Sequence, residues 1–195
     1  LACGSAGLAA AVARLSARAC ALPLPQSSGG GFLLVCGSLH EASRRQIQKA
    51  EAQGMPRLTL PPEALYAPDP SEAMRMAARA YDGLGEKHAL ILTSCLTKEA
   101  DAEKGRTAAR NMAALAARVA RDGQVGTLAV FGGDTLRALM AALDCQTLEP
   151  KAQPTPGVVL AKMTDGAYRG WILTKAGGFG DDDLVSSLYR WHLGE

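Results

Sequence analysis

Thr127-Leu128-Ala129-Val130-Phe131-Gly132-Gly133-Asp134-Thr135-Leu136-Arg137-Ala138-Leu139-Met140 reads as a strand, a glycine turn and the opening of a helix. The apolar run is short, as a buried strand is, and Leu136, Leu139, Met140 and Leu143 then recur at helical spacing. Two glycines between them permit backbone angles and a close ligand approach that side chains would block. Such a turn brings bare N–H groups to the positive end of a helix dipole, a geometry that suits a phosphate. Asp134 can cap the helix or help orient a magnesium water shell, and Thr135 can donate to a phosphate. A tight turn with an aspartate N-cap and no ligand reads the same residues equally well.

The same alternation extends outward in both directions. Phe32 to Cys36 reads as a buried strand ending in Gly37-Ser38, followed by a helix from Ser43 to Gln53 that Gly54 closes. Arg57 to Leu60 is a short strand, and the proline-rich stretch from Pro61 to Pro70 is read as loop. Ser71 to Leu84 is a helix with a capping start, and Ala89 to Thr93 is the next strand. Glu103 to Arg121 places Met112, Leu115, Ala116 and Val119 on one helix face and Arg106, Arg110, Arg118 and Arg121 on a solvated one. Towards the end, Val158 to Ala161 and Trp171 to Thr174 read as strands around a turn containing Gly166, and Asp182 to Trp191 as a last helix. At the other end, Gly7 to Arg18 is helical, and Pro23 to Gly31 is polar enough for a flexible linker. Strands alternating with helices predict an α/β fold: a mostly parallel sheet with helices on both faces and a mixed edge, in a single domain. Ligands of such sheets bind beyond the carboxyl ends of the strands.

Three further corners carry candidate chemistry. Lys175-Ala176-Gly177-Gly178-Phe179-Gly180 sets a lysine at a strand end beside open backbone, which serves an anion; a flexible turn with a solvated lysine is the plain alternative. In Gly37-Ser38-Leu39-His40-Glu41, Ser38 can bond a nucleotide and His40 or Glu41 can move a proton, although capping and solvation explain them too. Thr93-Ser94-Cys95 ends another strand and can line the same cleft, with no histidine and acid beside Cys95 to make it a nucleophile. Asp181-Asp182-Asp183 has the look of a metal cluster, but acids favour a helix start for ordinary dipole reasons. No Walker phosphate-loop pattern is present, so a nucleotide site here is of another type.

The bulk properties narrow the class. The chain has 195 residues, enough for one domain with a real core, and a net charge of +2 that gives no broad footprint for nucleic acid. No apolar stretch approaches the roughly 20 residues of a membrane helix. The alanine-rich start from Leu1 to Leu15 lacks the charged leading region of a signal peptide and reads as part of something longer. Cys3, Cys20, Cys36, Cys95 and Cys145 are scattered and odd in number, which fits buried, reduced thiols in the cytoplasm better than a disulfide frame or a zinc cage.

Together the corners resemble the carboxy-terminal domain of the four-carbon acid sugar kinases, a group that includes 3-oxo-tetronate kinases. The likeness rests on Gly4-Ser5-Ala6-Gly7-Leu8-Ala9, on Gly37-Ser38 with Ser43 and Gln46, on Gly132-Gly133-Asp134-Thr135, on Pro156-Gly157-Val158 and on Lys175 through Gly180, in that order. The resemblance implies the nucleotide-binding half of a kinase that moves the terminal phosphoryl of ATP to a four-carbon sugar acid, with Mg2+ sharing the phosphate charge. Its nucleotide contacts carry over to Ser38, to Gly132, Gly133, Asp134 and Thr135, and to Gly177 and Gly178. It assigns neither a catalytic base nor a protein metal ligand. The family's amino-terminal, sugar-acid-binding domain is absent from this stretch, and Leu39-His40 stands where smaller polar residues are common. The implied partners are ATP, a small sugar acid and that missing domain, with a homodimer allowed and no nucleic acid or membrane. The chain alone is then expected to bind nucleotide without completing a turnover. A non-catalytic module that senses a nucleotide or a phosphorylated metabolite would use the same backbone nests.

Overall fold

The computed structural model describes residues 6–16, 24–25, 29–66, 70–94, 101–122 and 124–195. Along the chain lie α1 (Ala6–Ser16), β1 (Gly31–Cys36), α2 (Glu41–Ala52), β2 (Arg57–Leu60), α3 (Pro62–Tyr66), α4 (Pro70–Lys87) and β3 (Ala89–Ser94). They are followed by α5 (Ala102–Arg121), β4 (Val125–Phe131), α6 (Gly133–Ala142), β5 (Leu148–Thr155), β6 (Val158–Met163), β7 (Trp171–Lys175) and α7 (Leu184–Leu193). Cys3, Cys20 and Cys95, the Gly4-Ser5 start of the family likeness and part of the polar 23–31 stretch lie outside the described residues.

The strands form one seven-stranded sheet in the order β2-β3-β1-β4-β7-β6-β5. The first five run parallel, and β6 and β5 pair antiparallel at one edge, as the mixed edge predicts. β1 is buried along its whole length because each pleat faces its own apolar layer. Leu33 and Val35 join a core with α3, α4, α5 and α6. Phe32, Leu34 and Cys36 face α2 and α7 on the other side.

Two elements depart from the sequence reading. The 61–70 stretch is not all loop: Pro62 starts α3, where a missing N–H costs nothing, and Ala64 and Leu65 plug the core. Asn111 Nδ2 donates to the Leu65 carbonyl at 2.6 Å. β5 was not visible as a strand, because Pro150 and Pro154 interrupt it; an edge position with register shifts tolerates them.

α7 is fastened to the sheet by His192, which is 5% exposed. Its Nε2 lies 2.9 Å from the Gly30 carbonyl and its Nδ1 2.9 Å from Thr127 Oγ1. A carbonyl only accepts, so Nε2 carries the proton and Nδ1 of the neutral ring accepts from the threonine hydroxyl. Burial, with a smaller contribution from the His88 charge, depresses the imidazole below its ordinary value. The unfolded chain therefore takes up this proton first, so stability is full above the ordinary histidine value and falls as pH drops through it. Thermal midpoints are expected to decline from about pH 7 to about pH 5, and His192→Gln should flatten that limb. An unchanged slope in the variant would refute the assignment.

Candidate functional site

The chain leaving β1 turns to α2 on one face of the sheet, and the chain leaving its neighbour β4 turns to α6 on the other. Connections that diverge from adjacent strands open a crevice at their carboxyl ends. Gly37 N and Ser38 N both donate to the Phe131 carbonyl at 3.1 Å, closing the floor of that crevice. Gly132, at φ +118°, sits so near that a Cβ would come within 3.3 Å of Ser38 N. Gly37 in turn leaves no room for one, because a Cβ there would stand 2.0 Å from Thr135 Oγ1.

Gly132 is the N-cap of α6, and no side chain caps this helix. Asp134 is therefore not the cap that the sequence offers; it lies exposed in the first turn. The N–H groups of that turn are left for another acceptor. Gly133 has open space around it. Thr135 is 2% exposed; its Oγ1 lies where a Cβ on Gly37 would stand, and the residue lines the cavity beside this corner. That cavity, of about 450 Å3, is also lined by Gly37, Leu39, Ser94, Arg106, Asp134 and Arg137.

The third corner comes from β7, where Lys175 is in register with Phe131 and, through it, with Cys36. Lys175 is 3% exposed, which removes the solvated reading. Its Nζ donates to Ser43 Oγ and to the Gly177 carbonyl, each at 2.8 Å, and stands 4.7 Å from the Phe131 ring centre. No carboxylate pairs with it among the described residues. Burial lowers the lysine below its ordinary value, and burial pushes the neighbouring Cys36 thiol up to about 11, so the thiol stays neutral. Ser43 Oγ then donates to Ser38 Oγ at 3.2 Å.

The glycine loop after Lys175 is held against α2. Gln46, fully buried, directs the two protons of Nε2 at the carbonyls of Phe179, Gly180 and Asp181, 3.0, 3.0 and 2.8 Å away, one proton being shared. Its Oε1 has no partner among the described residues. Asp182 pairs with Arg45 at 3.0 Å and Asp183 with Lys49 at 2.7 Å. The aspartate run is thus an ion-paired strap, and no metal-holding group of His, Cys, Asp or Glu exists among the described residues. Gly178 fits under the His40 ring, where a Cβ would be 2.4 Å from Cε1. His40 caps α2, its Nδ1 accepting from Ala42 N. Gly177, at φ +42°, remains open.

Ser38, Gly132, Gly133, Asp134, Gly177 and Gly178 accordingly gather at one crevice, with Thr135 packed into its wall. Sequence reasoning did not single out Ser43 as a functional group, nor the burial of Lys175. Ser43 and Gln46 stand among the residues of the family likeness, and the further signal is that they are polar and one turn apart on the helix face that also holds Ile47 and Ala50 against the sheet. A larger cavity, about 510 Å3, lies away from these corners between the end of α2 and α7, against Met55, Pro56 and Ala89. It adjoins the amino ends of β2 and β3, whereas sheets of this kind take ligands at the carboxyl ends.

An open, mainly parallel sheet with its glycine corners meeting at the switch point defines a domain of the doubly wound α/β class. The chain belongs to the family described as the nucleotide-binding C-terminal domain, whose family model matches residues 33–185. It is 34% identical to a D-threonate kinase of Bordetella bronchiseptica over 93% of this chain and 44% of that one. It is 31% identical to a 3-oxo-tetronate kinase of Pseudomonas fluorescens over 85% of this chain and 39% of the relative. The chain thus spans less than half the length of these relatives. A solved structure from B. bronchiseptica, a domain of unknown function with bound citrate in a domain-swapped dimer, matches with a TM-score of 0.71. The identity is 25%, over 84% of this chain and 41% of that one. A Haemophilus influenzae protein shares the fold with a TM-score of 0.69 at 17% identity, over 88% of this chain and 41% of that one. The likeness to the sugar-acid kinases read in the sequence is borne out at the level of family. No helix among the described residues is long and apolar enough to cross a membrane.

Proposed function

We propose that this chain is the ATP-binding half of a kinase that moves the terminal phosphoryl of ATP to a hydroxyl of a four-carbon sugar acid. The observation that carries the reading is the convergence of the Gly37-Ser38, Gly132-Gly133 and Gly177-Gly178 corners at the switch point, in front of a buried lysine. Family membership and relatives named as kinases support it. Gly133 and Gly177 are the open positions where phosphate oxygens come closest to backbone N–H groups. Ser38 adds its hydroxyl, Gly132 and Gly178 keep the walls thin, and Thr135 contributes its N–H.

The exposed carboxylate of Asp134, with Asp101 on the same cavity wall, fits magnesium that leans mainly on the phosphates and keeps several waters. When bound, the ion supplies charge neutralisation. The protein's part in such a transfer is positioning and electrostatic stabilisation. The sugar-acid wall belongs to the part of the relatives that this chain does not span, so the chain alone binds nucleotide and does not turn over. Buried free thiols at Cys36 and Cys145 suit a cytoplasmic setting.

Calorimetric titration of the 195-residue chain with ADP and ATP in magnesium buffer tests the reading. Saturable binding is expected, tighter than about 1 mM. Absence of heat for both nucleotides above that level overturns it.

A further inference from the structure

The link between Lys175 and Ser38 has a direction, and the direction has a consequence for what Ser38 can bind. An ammonium has three protons and no lone pair. Two of those of Lys175 go to Ser43 Oγ and to the Gly177 carbonyl, and the ammonium lies over the Phe131 ring. Ser43 is fully buried, so its own proton must be used inside the protein, and it goes to Ser38 Oγ at 3.2 Å. Ser38 Oγ also accepts from His40 N at 3.3 Å. A hydroxyl oxygen accepts two hydrogen bonds, and both places are taken. Its one proton donates to no group among the described residues, and Ser38 is only half-buried, at the mouth of the crevice.

We propose that Lys175 is a positioning residue which, through Ser43, turns Ser38 into an obligate hydrogen-bond donor for a phosphate oxygen and stands behind it as the fixed counter-charge. This rests on the nucleotide reading of the same crevice and goes beyond it, because it assigns the phosphate selectivity to two residues that the ligand does not touch. A ligand that offers a donor finds no acceptor at Ser38. A ligand that offers an anion meets a donor already aimed and a positive charge that no carboxylate among the described residues neutralises. A buried cation without a carboxylate partner among the described residues is costly in the empty protein. An apolar side chain of similar length, resting against Phe131, removes that cost and removes the anion site with it.

The experiment compares the wild-type chain with Lys175→Met, Ser43→Ala and Ser43→Thr, titrated with magnesium ADP and, separately, with inorganic pyrophosphate. Lys175→Met and Ser43→Ala should each weaken both ligands at least about tenfold. The thermal midpoint of Lys175→Met should not fall below wild type, and Ser43→Thr, which restores the hydroxyl, should recover most of the affinity. Rescue by threonine is the readout that a merely structural role would not produce. If Lys175→Met does not fold, Ser43→Ala against Ser43→Thr carries the test alone. ADP binding that ignores both substitutions, or an equal loss in Ser43→Ala and Ser43→Thr, overturns the relay and leaves the nucleotide reading standing. Pyrophosphate binding that depends on Lys175 and Ser43, without ADP binding, supports the relay and overturns the nucleotide reading. Failure of wild type to bind either anion overturns both.

Discussion

Gly126→Ala is expected to cost the chain most or all of its stability. Gly126 is the residue that the pairing of β1 with β4 skips: Gly31 pairs with Val125 and Phe32 with Thr127. At the skip the Gly29-Gly30 backbone passes so close that a Cβ on Gly126 would lie 1.4 Å from the Gly29 carbonyl oxygen and 2.6 Å from its carbon. Both atoms are backbone, so no rotamer change relieves the overlap. Separation requires the start of β1 to leave β4, and with it the Gly30 carbonyl that His192 holds. Ordinary overpacking costs about 1–3 kcal/mol. Here the displaced group is a strand end, and a loss above about 4 kcal/mol is expected, against a typical total of roughly 5–15. For a domain of this size the midpoint should fall by roughly 8–16 °C, or the protein should not accumulate. Gly133→Ala, at a position with nothing near it, is the control. A melt of Gly126→Ala within about 2 °C of wild type would show that the strand start yields easily.

Gly133→Val should do the opposite, sparing the fold and abolishing nucleotide binding. Gly133 is the first residue of α6, has an ordinary negative backbone angle and has no atom within 4 Å of a built Cβ. A valine there meets only solvent in the free protein. In the proposed complex its two methyl groups occupy the space above the first-turn N–H groups, where phosphate oxygens come closest. A loss of about a hundredfold or more in ADP affinity is expected, equivalent to roughly 2.7 kcal/mol, with the melt unchanged within about 2 °C. Gly132 and Gly177 would give less clean results, since φ values of +118° and +42° penalise a side chain before any ligand arrives. Unaltered ADP affinity in Gly133→Val would move the phosphate site elsewhere.

Much of this was legible in the residues. β1, β3 and β4 are buried on both faces, so each carries a run of four or more apolar residues rather than an alternation, and the glycines after β1, β4 and β7 mark the turns towards helices. What stayed hidden depends on contacts between distant segments. Lys175 ends its strand as expected, but only the packing of α2 over β7 turns it from a solvated charge into a buried one. Asp182 and Asp183 look like ligands until Arg45 and Lys49 arrive from α2. The glycines from Gly29 to Gly31 have the composition of a joint, and the structure uses the missing side chains of Gly30 and Gly31 for close approach to Gln124 and Gly126 at the start of β4. Thr135 reads as a phosphate donor from its place after the turn, and only the structure shows how closely its hydroxyl approaches Gly37.

The prolines of β5 have one more effect. β5 is an outer strand of the sheet, and an outer strand offers its unpaired N–H and C=O groups to any other extended chain. Pro150 and Pro154 have no N–H to offer, and Glu149 and Lys151 place charge on the same stretch. The opposite edge, β2, is only four residues long and carries Arg57 in an ion pair with Glu51. Neither border is a good template for growth, so a protein synthesised at high concentration gains protection against intermolecular sheet extension and aggregation. The residues that conceal β5 from a reader of the sequence also conceal it from other molecules.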